Sequence, residues 1–295
     1  RPATGPLSSP GRPIPMTRFQ LLAIVTTLTG LLGLSPAVGD DAAETPPPMD
    51  FQKRQGVGVG MAVSYSDEPY RGMGSDVQPF PILLYRGKRF AAFGPFLSYQ
   101  LFGLDRPWAV KAVLSPSFDG YDSDDSNFLE GMDDRDMTAE GGLEVELETD
   151  LAEVGLAWKH DLLDEHDGYS IDLTLRKPLF FGRVLVAPSV SYVYDSDNRS
   201  DYYFGVRPDE ATPDRPAYEL DGTHNWQAGV LATTNLTRKV FAMAGANYTL
   251  FDDDIQDSPI VNQDGQYRIF VGFGYMFGGE KPAERAESMQ ALLNR

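Results

Sequence analysis

The segment Gln266-Tyr267-Arg268-Ile269-Phe270-Val271-Gly272-Phe273-Gly274-Tyr275-Met276-Phe277 alternates in a way that few folds can use. Strand side chains alternate with period two, so Tyr267, Ile269, Val271, Phe273, Tyr275 and Phe277 share one face, while Gln266, Arg268, Gly272 and Gly274 share the other. A wholly aromatic and aliphatic face needs an apolar contact, whereas a face with Gln and Arg needs water or polar partners. Lipid outside and a polar lumen inside a closed barrel meet both demands.

The front of the chain indicates which membrane. Met16-Thr17-Arg18 forms a short basic region, and Phe19 to Leu34 is an apolar run that ends in Pro36-Ala37-Val38-Gly39. Small residues at Ala37 and Gly39 suit signal peptidase, so cleavage is expected before Asp40. A transmembrane anchor is the competing reading, opposed by the short run and by the acidic Asp40-Asp41-Ala42-Ala43-Glu44 that follows. Residues 1–15 read as an upstream or artefactual extension, 16–39 as the signal peptide and 40–55 as a Pro-rich periplasmic linker containing Pro46-Pro47-Pro48. Residues 56–277 read as the barrel and 278–295 as a periplasmic tail.

After Asp40 no apolar run is long enough for a spanning helix, so a mature membrane form has to be a closed barrel. A mean hydropathy of −0.30 fits this, because half of each barrel strand is polar or small. With no cysteine, disulfide, zinc–thiolate and thiol-nucleophile chemistry are excluded. A formal charge of −18 opposes binding to nucleic acid, whose phosphates would be repelled.

The alternation predicts strands near 56–65, 77–85, 89–101, 108–118, 139–149, 152–162, 169–181, 184–194, 224–234, 239–251 and 267–277. Bacterial barrels use an even number of strands, with short periplasmic turns and long outer loops. The expectation is therefore an all-β, transmembrane, antiparallel up-and-down β-barrel of about 12 strands, with 10 as the alternative. Segments 119–137, 163–168, 195–223 and 252–264 fall outside, and tight turns near 149–151, 181–183 and 235–238 fall at the periplasm. Pro79, Pro81, Pro95, Pro116, Pro178 and Pro188 are unwelcome in a closed ladder and predict misplaced strand ends or bulges.

Residues 139–162 predict the interior. Leu143, Val145, Leu147, Val154, Leu156 and Trp158 face lipid, which sends Glu144, Glu146, Glu148, Glu153 and Lys159 inward. Asp172, Arg176 and Arg268 fall on the same inner side by their own alternation. Cross-strand carboxylates repel, so they need Lys159 or an Arg, or must stay hydrated. A lumen filled by ion pairs and a narrow cation-preferring channel are both compatible with this pattern.

Family-specific text lies in the loops: Asp119-Gly120-Tyr121-Asp122-Ser123-Asp124-Asp125-Ser126 with Gly131-Met132-Asp133-Asp134-Arg135, then Asp201-Tyr202-Tyr203-Phe204-Gly205-Val206 with Glu210-Ala211 and Pro216-Ala217-Tyr218, and Asp257-Ser258-Pro259-Ile260-Val261. Together with Tyr70-Arg71-Gly72 and Phe80-Pro81-Ile82-Leu83-Leu84-Tyr85, they make the chain resemble the MltA-interacting protein (MipA) and outer-membrane protein V (OmpV) family from about Gly56 to Phe277. The resemblance implies a barrel in the outer membrane of a Gram-negative bacterium, in contact with lipid and lipopolysaccharide. It further implies a scaffold or binding role in murein synthesis and envelope maintenance, with a lytic murein transglycosylase and a murein synthase as partners. A narrow pore for small solutes is the alternative function.

No catalytic, cofactor-binding or metal-binding residues are expected, and no enzyme activity. His160, His166 and His224 read as solvated or girdle histidines, and Gly56-x-Gly58-x-Gly60 lacks the helix that a dinucleotide site requires. Asp122-x-Asp124-x-Ser126 resembles the opening of a calcium loop, but Asn127 stands where that loop needs Gly, and Asp133 stands for its closing Glu.

Overall fold

The computed structural model describes residues 55–277, and over that span the alternating segments close into an antiparallel barrel. In chain order the strands are β1 (Gly56–Asp67), β2 (Ser75–Arg86), β3 (Phe90–Phe93), β4 (Phe96–Phe102), β5 (Trp108–Pro116), β6 (Ala139–Glu148) and β7 (Glu153–Asp161). They continue as β8 (Tyr169–Arg176), β9 (Leu179–Phe181), β10 (Val184–Asp195), β11 (Thr223–Asn235), β12 (Val240–Leu250) and β13 (Gly265–Phe277). Closure comes from β13 pairing back on β1, from Val57↔Phe277 to Ser66↔Arg268.

The wall has twelve strands, because β8 and β9 are two halves of one. Both pair with β10 in a single register, and Lys177 N–H still donates to the Pro188 carbonyl between them, at 3.0 Å. Pro178 and Pro188 both fall at this interruption, so two missing donors share one break in the ladder. Pro116 ends β5.

One strand assignment is corrected. Residues 89–101 are not a single strand but the hairpin β3–β4, which turns at Gly94-Pro95 with Gly94 at φ +57°. Pro95 cannot continue a ladder, and glycine accepts the left-handed turn. The extra strand makes the count even and turns Arg86-Gly87-Lys88 into a periplasmic turn, closed by Gly87 N–H to Phe90 O at 2.8 Å. The expected extension 1–15, signal peptide 16–39, tail 278–295 and the linker up to Arg54 lie outside the described residues.

Side-chain alternation follows the predicted faces. Val271 and Phe273 are exposed on the outer wall, whereas Gly272 and Met276 are buried inside. One side of the lumen holds a packed apolar cluster of Ala62, Ile82, Leu84, Phe241, Met243 and Met276, with Phe80, Phe93 and Phe270 against it. The other side carries the charged residues of β5 to β8.

At the end where β1 runs into β2, the long connections fold over the barrel mouth. Tyr70, Tyr121, Leu129, Met132, Val206, Leu220, Phe251, Ile255, Ile260 and Val261 come from four different connections and form one buried apolar core. The wall is thus topped by a cap with a core of its own.

Candidate functional site: the capped lumen

The charged wall is paired much as alternation requires. Lys111 pairs with Glu146, Arg176 with Glu153 at 3.3 Å, and Lys159 with Asp172 at 2.8 Å and with Glu140 at 3.6 Å. Lys159, Asp172, Arg176 and the glutamates therefore sit where their strand phases place them. Arg268 points inward too, but it reaches up to the cap and meets Asp119 at 3.2 Å.

Where lumen and cap meet, Arg199 organises a second network that the sequence did not announce. It lies on the short helix Asp197–Phe204, which follows β10 directly. Its guanidinium meets Asp195 at 2.9 Å, Asp119 at 2.8 Å and Glu140, and lies over the Tyr203 ring at 5.5 Å. Burial works against its charge, yet Asp195, Glu140 and Asp119 outweigh it and push the guanidinium pKa up. Burial likewise tends to raise the Asp119 pKa, but Arg268 and Arg199 hold it below the usual carboxylate range.

The histidines take three roles. His224 hydrogen-bonds Tyr192 at 2.7 Å and stacks on its ring, as a girdle histidine does, and His160 stands 3.7 Å from Asp167 at the rim. His166 departs from the expectation of a solvated ring, because its side chain is 0% exposed beneath the cap. Its Nδ1 accepts from Gly168 N–H at 2.9 Å, which places the proton on Nε2, 3.9 Å from Glu140. Burial, reinforced by the Arg199 charge, pushes its pKa down to about 4, so the ring is neutral.

The acidic loop that resembles a calcium site is folded on protein contacts. Asp122 and Asp125 cap a 3-10 turn over Ser123–Asp125, and the Ser126 hydroxyl donates to Arg71 O at 2.6 Å. Among the described residues no group of three or more metal-ligating side chains forms. Gly58 and Gly60 face the lumen in β1; a Cβ on Gly58 would meet the Met276 sulfur at 2.5 Å, and one on Gly60 the Phe273 carbonyl at 2.4 Å. Close approach of side chain and neighbouring strand explains these glycines.

The cap is held by an ion pair as well as by its apolar core. Arg135 on the connection after β5 meets Glu210 on the connection after β10. Beside this pair, Glu165, His166, Asp197, Asp201, Tyr202 and Arg207 help to line an open cleft of about 300 Å³ on the outer surface. Loop packing, strand order and lumen form one continuous unit over the span to which a family profile also aligns. The profile described as MltA-interacting protein MipA matches residues 56–277.

The chain belongs to the MipA family. Similar members are the outer-membrane protein OmpV of Vibrio cholerae serotype O1, 29% identical over 65% of this chain and 76% of that protein, and the MltA-interacting protein of Escherichia coli K12, 26% identical over 89% and 100%. The putative outer-membrane protein YiaT of Escherichia coli K12 is 25% identical over 74% and 90%. Among solved structures, an outer-membrane channel from Pseudomonas putida F1 aligns with TM-score 0.41 at 10% identity, over 79% of this chain and 100% of that one. This MipA-family chain is an outer-membrane β-barrel of the Gram-negative type.

Proposed function

We propose that the chain is a binding or scaffold barrel serving murein synthesis and envelope maintenance, and that it docks a lytic murein transglycosylase from the periplasmic side. The observation that carries this reading is the cap, whose apolar core and buried ion pair pack the long connections together over the outer mouth, where a through-pore needs an open passage. The name borne by the Escherichia coli relative supports the partner class. Since the long connections are committed to the cap, a periplasmic partner has to use the short turns, the linker or the tail. The turn Thr149–Ala152 is suited to contact: Leu151 is 76% exposed beside a cleft of about 160 Å³ lined by Asp150, Glu153, Lys177 and Phe180.

Capture of a purified transglycosylase on vesicles holding the refolded chain tests this. Capture should occur without single-channel conductance and should weaken with Leu151→Asp or with deletion of residues 278–295. Steady conductance in a barrel that captures nothing would favour the narrow-pore reading.

A further inference from the structure

The wall has a notch at its outer half. β1 covers one edge of β2 along its whole length, from Gly56↔Arg86 to Asp67↔Ser75. On the other edge, β2 pairs with β3 only over Leu84–Arg86, and the last bond is Gly94 N–H to Leu83 O at 2.8 Å. There the hairpin turns back, so the outer part of β2, residues 75–82, extends past it.

Strand geometry fixes which backbone groups face this gap. The Gln78 carbonyl accepts from Ser64 on β1, and the Leu83 carbonyl accepts from the hairpin, so odd-numbered residues turn their backbone toward the gap. Ser75, Val77, Pro79 and Pro81 are those residues, and among the described residues no ladder partner meets them there. Two of the four are prolines with no N–H to offer, which makes the edge unfit for an added strand while removing donors that would otherwise stay unpaired. Gly94 marks open space, since a Cβ built on it would meet nothing within 4 Å.

The lower part of the gap is lined by apolar groups, while Asp76 and Gln78, hydrogen-bonded to each other at 2.6 Å, stand on the inner face above it. Val77 is 59% exposed on the outer wall, with Pro79 and Pro81 exposed below it. The rings of Phe96 on the hairpin and Phe118 after β5 lie 6.3 Å apart in edge contact. On the inner face Phe80 and Ile82 alternate with the prolines and belong to the luminal cluster with Phe93 and Phe270. Backbone carbonyls bare to hydrocarbon are tolerated only beside a cavity or an occupant that satisfies them.

We infer that the notch is a lateral access site, through which a small uncharged aromatic molecule with one hydroxyl or amine donor passes from the outer leaflet to the luminal aromatic cluster. The rings supply the apolar contact, and the carbonyls of Val77, Pro79 and Pro81 accept the donor. The route bypasses the capped mouth and does not depend on a murein partner.

N-phenyl-1-naphthylamine, an uncharged aromatic amine, is the probe, mixed by stopped flow with vesicles holding the refolded chain. Its fluorescence should rise saturably above that of protein-free vesicles. A sealed variant combines Pro79→Thr and Pro81→Thr, which restore the donors, with two residues added to each arm of the hairpin at Gly94-Pro95. Association should slow at least about tenfold in it while heat-modifiability stays intact. If that variant does not fold, Val77→Trp places a ring on the exposed strand edge of the gap and should slow association in the same sense. Phe80→Ala should weaken saturation with the notch left open. A signal that never saturates, or equal rates in sealed and native chains, overturns the inference. So does a concentration-dependent dimer that sealing abolishes, since the edge would then be a strand-pairing surface between copies.

Discussion

Arg135 donates two hydrogen bonds to Glu210, at 2.9 and 3.0 Å, although 75 residues separate them and each belongs to a different outer connection. Their side chains are 1% and 4% exposed. Glu210 also accepts from Asp133 N–H at 2.9 Å and Arg207 N–H at 3.0 Å, while Arg135 donates to Tyr202 O at 2.7 Å. Every polar atom of the pair is used, so the pair fixes how the two connections lie against each other. Burial tends to raise the Glu210 pKa, and those N–H groups with Arg135 bring it below normal.

Removing one partner should be far worse than removing both, because a lone buried charge remains. Arg135→Met is expected to cost about 3–5 kcal/mol of cap stability. Arg135→Met with Glu210→Leu should recover part of it. Limited proteolysis of the outer connections reads the effect, with heat-modifiability reporting an intact wall; equal protease resistance in Arg135→Met and the native chain would refute it.

Val271 and Gly272 are neighbours with opposite duties. Val271 faces lipid near mid-strand, so Val271→Arg should cost about 2–4 kcal/mol and impair assembly. Gly272 faces the lumen, where an added Cβ would meet Ala62 Cβ at 2.9 Å and Ile82 Cδ1 at 2.9 Å. Gly272→Ala should therefore act by overpacking, at roughly 1–3 kcal/mol. Compensation by Ile82→Val, measured in urea-dependent folding into vesicles, distinguishes this from a lipid effect; no rescue would count against it.

His166 gives the cap an acid-sensitive element. Its folded pKa of about 4 lies below the unfolded value near 6.5, so the unfolded state binds more protons as pH falls. Its contribution is full above pH ~6.5 and is lost progressively down to pH ~4, up to about 3 kcal/mol. His166→Asn should flatten that part of the stability–pH curve relative to the native chain. Parallel curves for the two proteins between those pH values would exclude this role.

Lys159 stands between Asp172 and Glu140 on the inner wall. Lys159→Met leaves Asp172 without its cation, while Glu140 keeps Arg199, and should destabilise the barrel by about 3 kcal/mol, the lower end for a broken buried pair. A further Asp172→Asn change should restore much of it. Denaturant midpoints of the three proteins decide the matter, and a double variant no more stable than Lys159→Met would contradict the arrangement.

The sequence by itself determined the wall. Period-two alternation is a property of each strand alone, so the outward set Leu143, Val145, Leu147 and the inward set Glu144, Glu146, Lys159 could be read without any partner. Turn chemistry sorted short connections from long ones in the same local way. The split of residues 89–101 was hidden because a two-residue turn at Gly94-Pro95 barely disturbs the alternation on either side. Only the tertiary structure decided the rest, since it rests on contacts between residues far apart in sequence. Arg135 with Glu210, Arg199 with Asp119 and Glu140, and the burial of His166 all tie a connection to another connection or to a distant strand. No periodicity encodes them, because loop side chains meet through the closure of the barrel and not through their spacing along the chain. The unpaired edge at Pro79 and Pro81 belongs to the same class: the prolines were visible, but that their missing donors face a gap follows only from where the neighbouring hairpin stops.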